Sequence, residues 1–109
     1  MSVTERRKGA TWEQKLSTLL RQHGWHAERA GGGHRQDHGD LLGIPGWYFD
    51  AKSCRTHDLS GWVNTAQQQA PDPGRWAVLI KRRGHPEPED GYAVLTIGNL
   101  LLLMQEAGY

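Results

Sequence analysis

Three acids and one lysine in this chain have the residue types and spacing of a single reactive centre. Asp40 lies in Gly39-Asp40-Leu41-Leu42-Gly43, Asp50 and Lys52 lie in Phe49-Asp50-Ala51-Lys52, and Glu13 lies upstream. Hard divalent cations take oxygen ligands. Two carboxylates on adjacent strands and a third from a helix would hold one while leaving room for water and an anionic group. A lysine two residues beyond Asp50 would share its face. There it would orient an attacking water, favour its hydroxide form or stabilise charge developing on a phosphoryl group. Those are the requirements of metal-assisted phosphodiester hydrolysis with Mg²⁺ or Mn²⁺. Asp-x-Lys is a common tripeptide, so the bland alternative is an ordinary surface hairpin carrying an Asp and a Lys.

The elements that would position these groups can be read from pattern. Trp12, Leu16, Leu19 and Leu20 recur at i, i+4, i+7 and i+8, which predicts a helix from Thr11 to about His23, ended by Gly24, with Glu13 beside its apolar stripe. A short strand over 25–30 precedes Gly31-Gly32-Gly33, a glycine run too permissive for regular structure. Ile44-Pro45-Gly46 reads as a turn joining strands 39–43 and 46–53 into a hairpin, with Tyr48, Asp50 and Lys52 on a polar face opposite Phe49 and Ala51. A helix over 59–70, capped by Ser60, ends at Pro71-Asp72-Pro73-Gly74. Trp76-Ala77-Val78-Leu79-Ile80 is apolar throughout, as a strand buried on both faces should be, and belongs at the middle of a sheet. A loop over 84–91, a strand over 92–97 and a Leu-rich helix over 100–107 capped by Asn99 complete the chain. The expected fold is α/β: a single domain over 1–109 with a central mixed sheet flanked by helices.

Composition sets the surroundings. The 109 residues suit one compact domain, no internal repeat is visible, and the longest apolar run, Leu100 to Met104, is too short to cross a bilayer. A single cysteine, Cys54, excludes an internal disulfide and fits a reducing cytoplasm. Net charge is only +1, yet Arg6-Arg7-Lys8, Arg29 with Arg35, and Lys81-Arg82-Arg83 are basic clusters. A cation neutralising Glu13, Asp40 and Asp50 would leave a positive face suited to nucleic acid, whereas each cluster alone also fits a solvated surface.

The order Glu13, Asp40, Asp50-Ala51-Lys52 resembles the PD-(D/E)XK nuclease superfamily, and residues 6–70 resemble Holliday junction resolvases of the archaeal and phage type. The matching features are Arg7-Lys8-Gly9 before the helix bearing Glu13, a strand ending in Arg29, the glycine loop, and Ser60-Gly61-Trp62 ahead of Gln67-Gln68-Gln69. Asp50 stands where resolvases usually have Glu, and Ala30 where a serine often follows the arginine. The resemblance implies a restriction-endonuclease-like core (αβββαβ). It also implies a homodimer whose two sites nick opposed strands of a four-way DNA junction, leaving 5'-phosphate and 3'-hydroxyl ends. Glu13, Asp40 and Asp50 would hold the metal, with Lys52 catalytic beside them. Arg6, Arg7, Lys8, Arg29, His34, Arg35 and Arg55 are the expected phosphate contacts, and affinity should fall steeply with salt.

Other readings compete. A restriction- or repair-type endonuclease of the same fold would cut duplex or branched DNA, but this chain has little spare length for elements that read the major groove. A non-catalytic junction-binding protein would gain nothing from acids that repel phosphate. His34, Asp37 and His38 suggest zinc, although their glycine-rich setting does not favour helical presentation. Cys54 reads as a structural thiol, and the five tryptophans as core or dimer packing rather than base-stacking platforms. The last helix offers an apolar face that either packs within the domain or joins two copies.

Overall fold

The computed structural model describes residues 3–31 and 39–109, with side chains from Lys8 onward. Among the described residues, three α-helices and five strands follow in the order αβββαββα, as the sequence pattern predicts. They are α1 (Val3–Gln22), β1 (Glu28–Arg29), β2 (Leu41–Leu42), β3 (Tyr48–Lys52), α2 (Leu59–Gln69), β4 (Trp76–Ile80), β5 (Tyr92–Val94) and α3 (Ile97–Glu106). No helix among the described residues is long and apolar enough to cross a membrane.

The apolar stripe of α1 explains its seat. Trp12 and Leu16 are buried with Leu41 and pack against Phe49, Ala51 and Leu79 on one face of the sheet. The Trp12 indole Nε1 also donates to the Leu79 carbonyl at 3.0 Å, so the largest side chain of this layer is both buried and satisfied. Helix α2 covers the opposite face, where Trp62, Val63 and Ala66 meet Tyr48, Trp76, Val78 and Ile80. Between the two helices runs β4, paired parallel with β3 and antiparallel with β5. Its place at the centre matches its unbroken apolar sequence.

Several boundaries differ from the sequence reading. Helix α1 begins at Val3 rather than Thr11, so Arg6, Arg7 and Lys8 lie in its first turns instead of preceding it. The first strand shortens to Glu28–Arg29, the last one to Tyr92–Val94, and the 84–91 loop contains a 3-10 turn at Pro88–Asp90. Asp58, not Ser60, caps α2: its carboxylate accepts from the Gly61 N–H at 3.1 Å, and Ser60 already lies in the helix. Thr96, not Asn99, caps α3 by accepting from the Asn99 N–H at 3.2 Å.

The expected 39–43/46–53 hairpin does not form. The Ile44-Pro45-Gly46 turn is present, closed by Trp47 N–H donating to the Ile44 carbonyl at 3.1 Å, with Gly46 at a φ of +81°. The strands on either side nevertheless part. β2 pairs antiparallel with β1, β3 pairs with β4, and among the described residues one β-bridge, of Gly39 with Phe49, links the two sheets. Nor is the Tyr48 face of β3 purely polar, because Tyr48 is buried beneath α2 and donates its hydroxyl to Gln69 Oε1 at 2.8 Å.

Gly39 makes that bridge possible. Its φ is +71°, and a Cβ there would collide with the Phe49 carbonyl. Gly39→Ala is therefore expected to lower stability by about 2 kcal/mol or more, read from urea unfolding. An unchanged midpoint would show that the bridge does not depend on glycine.

Candidate active site

The site is built where the two sheets meet. Asp40 follows Gly39 and is pinned by three hydrogen bonds. Its backbone N–H donates to the Phe49 carbonyl at 2.7 Å, its carbonyl accepts from Ala30 N–H at 3.0 Å, and its side-chain Oδ2 accepts from Ala51 N–H at 2.7 Å. The carboxylate thus takes the place of a strand partner on the outer edge of β3. Asp50, adjacent on β3, is brought beside it.

Glu13 reaches the same place from α1. It is buried at 5% exposure, and its Oε2 accepts from Arg29 Nε of β1 at 3.2 Å. Lys52 lies two residues along β3 from Asp50, with Nζ 3.4 Å from Asp50 Oδ2. Its ammonium also sits 5.5 Å from the centroid of the Trp62 ring on α2, a cation–π contact that holds it at the cleft. Glu13, Arg29, Asp40, Asp50 and Lys52 line one cleft of about 920 Å³. Lys8 and Arg55 stand at its rim.

Burial dominates the electrostatics. It pushes the Asp50 carboxyl up from 3.8 to about 6; Lys52 opposes the shift, and Asp40 adds to it by accepting a hydrogen bond from the protonated acid and by its own charge. Two acids crowded in a desolvated cleft are a fitting pair for a divalent cation, which would relieve their repulsion. Among the described residues, however, no three His, Cys, Asp or Glu side chains converge tightly enough to form a complete metal-binding group. Glu13 is held by Arg29 instead of closing with the two aspartates.

Of the residues singled out from sequence, Glu13, Asp40, Asp50, Lys52, Lys8, Arg29 and Arg55 come together. Arg6 and Arg7 lie on the first turns of α1. His34 and Arg35, with Asp37 and His38, fall outside the described residues. Lys81, Arg82 and Arg83 are not among the cleft-lining residues, and Arg82 stacks on Tyr92. Cys54, expected as a quiet structural thiol, is exposed at the cleft. Among the tryptophans, Trp12 and Trp76 are core, Trp47 stacks on Phe49 at 5.4 Å, and Trp25 is exposed. The sequence reading missed the contact of Trp62 with Lys52. Helical spacing placed Trp62 on the apolar face of α2, but only the packing of α2 across β3 shows which cation it meets.

The Asp50 shift has a consequence for stability. The folded protein holds this proton more tightly than the unfolded chain, so the group favours folding below about pH 4 and that contribution is lost as pH rises through about 6. By neutral pH the loss is on the order of 2–3 kcal/mol. Asp50→Asn should then unfold at a higher temperature than the wild type at neutral pH without divalent cations, with the gain shrinking towards pH 4. A lower melting point at neutral pH would mean that the attraction of Lys52 outweighs burial. Comparison of the chain with family models, curated proteins and solved structures finds no match, so the reading of this cleft rests on its own chemistry.

Proposed function

We propose that this chain is a divalent-metal-dependent endodeoxyribonuclease that resolves four-way DNA junctions. The observation supporting this most is the gathering of Asp40, Asp50 and Glu13 with Lys52, Arg29, Lys8 and Arg55 in one cleft. The restriction-endonuclease-like core (αβββαβ) belongs to the same proposal, and the observed element order and mixed sheet are compatible with it.

Asp40 and Asp50 would hold Mg²⁺ or Mn²⁺, with Glu13 joining once Arg29 turns towards substrate. When bound, such an ion polarises the phosphodiester and makes its water a better nucleophile. The protein's own groups do the rest. The Ala51 N–H fixes the Asp40 carboxylate, so the paired acids meet substrate already oriented. Lys52, steadied by Trp62, presents its ammonium to the attacking water or to charge on the phosphoryl oxygens. Lys8, Arg29 and Arg55 would bind backbone phosphates, with Arg6, Arg7, His34 and Arg35 extending that contact. Water would attack phosphorus and give up a proton to solvent, the bond from phosphorus to the 3'-oxygen would break, and the leaving oxygen would take up a proton from solvent, giving 5'-phosphate and 3'-hydroxyl ends. Backbone contacts carry no base information, which suits selection by shape rather than sequence.

Cleavage of a labelled four-way junction, compared with linear duplex of the same arms under Mg²⁺ or Mn²⁺, tests the proposal. Paired symmetric nicks confined to the junction are expected, and Asp40→Asn should lower the rate at least about 100-fold. Equal cutting of both substrates would replace junction resolution with general endonuclease activity. Binding without cleavage in either metal would leave a non-catalytic DNA-binding protein.

A further inference from the structure

Arg29 and Glu13 meet in the cleft on unequal terms. The Glu13 side chain is 7% exposed and that of Arg29 is 38% exposed, so the acid is enclosed while the guanidinium already reaches solvent. Their elements differ in the same sense. Glu13 sits on a twenty-residue helix seated in the core through Trp12 and Leu16, whereas Arg29 sits on a strand of two residues. The bond between them is a single one, from Arg29 Nε to Glu13 Oε2 at 3.2 Å. Arginine grips a carboxylate or a phosphate most strongly through two parallel N–H bonds, and this pair does not use that fork. A phosphate entering the cleft can offer it.

We infer that the Arg29–Glu13 pair is a latch through which a backbone phosphate controls metal loading. The phosphate draws Arg29 off Glu13, and the released carboxylate joins Asp40 and Asp50 in holding the divalent ion. A buried carboxylate that loses one cation needs another in its place, and the ion supplies it. Closed, the latch leaves two acids for the metal, in keeping with the finding that no three His, Cys, Asp or Glu side chains converge among the described residues. Opened, it provides three. Phosphate and metal then favour each other, and by linkage the factor is the same in both directions.

The inference rests on the proposed nuclease reading and adds its order of events. An ion held firmly only when a phosphate is present confines activation of water to the occupied cleft. Arg29 is then a positioning residue for the metal as well as a phosphate contact.

Mn²⁺ binding to the full chain, read from the electron paramagnetic resonance of the free ion, tests the latch in a cycle of Arg29→Gln, Glu13→Gln and the double variant. Without DNA, Glu13→Gln should change the affinity less than about twofold, because the latched carboxylate holds no metal. Arg29→Gln should tighten binding at least about 10-fold, and adding Glu13→Gln should abolish that gain. The same gain with and without Glu13 would reduce Arg29 to a charge that repels the ion, and the latch would fall. A four-way junction already nicked, with the Mn²⁺ it binds alone subtracted, should tighten the ion on wild type at least about 10-fold and on Arg29→Gln less than about twofold. This wild-type comparison needs no variant to fold, and equal affinity with and without the DNA would overturn the latch by itself. Metal-dependent cutting without such tightening would keep the nuclease and remove the latch, and tightening without cutting would do the reverse.

Discussion

The candidate site depends on one hydrogen bond, from the Ala51 N–H on the outer edge of β3 to the Asp40 carboxylate. An edge amide with no strand beside it needs an acceptor, and here a side chain supplies it. That substitution ends the pairing between the two sheets after a single bridge. It turns the acid of one segment towards the acid of the next and leaves the adjoining Gly39 in a left-handed conformation. The crowding of Asp40 with Asp50 follows from it.

The core holds that crowding in place. Strand β3 contributes Phe49 and Ala51 to the layer under α1 and Tyr48 to the layer under α2, so Asp50 is fixed between apolar surfaces on both sides. Water is largely excluded from its carboxyl, which is the main reason that its affinity for a proton rises. Burial of Asp50 in its charged form therefore works against folding at neutral pH.

Much of this was legible in the sequence because it follows from local periodicity. The stripe through Trp12 and Leu16, the unbroken apolar run of β4 and the glycine stop at Gly24 each act over a few residues and appear where expected. The proximity of Asp40 and Asp50 was also foreseen, though through the wrong pairing. Ile44-Pro45-Gly46 signals a reversal of the chain, but a turn does not state whether the strands it joins hydrogen-bond to each other. That was decided by β4, which offers β3 a longer, fully apolar neighbour, and by β1, which takes β2. The caps differ because a serine or asparagine near a helix start competes with Asp58 or Thr96 two or three residues before it, and only the backbone geometry selects among them. The contact of Trp62 with Lys52 was hidden because it joins separate elements across the sheet.

The bridge at Gly39 divides the site mechanically. Glu13, Asp50 and Lys52 belong to the slab formed by α1 and the main sheet, while Arg29 and Asp40 belong to a ribbon of two very short strands. Such ribbons open at lower cost than strands sealed between helices, as β4 is. Ribbon opening would withdraw one aspartate and one arginine together, and with them Leu41, which is buried against Trp12 and Leu16 under α1. The cleft therefore loses its pair of acids and part of the packing under α1 in one step.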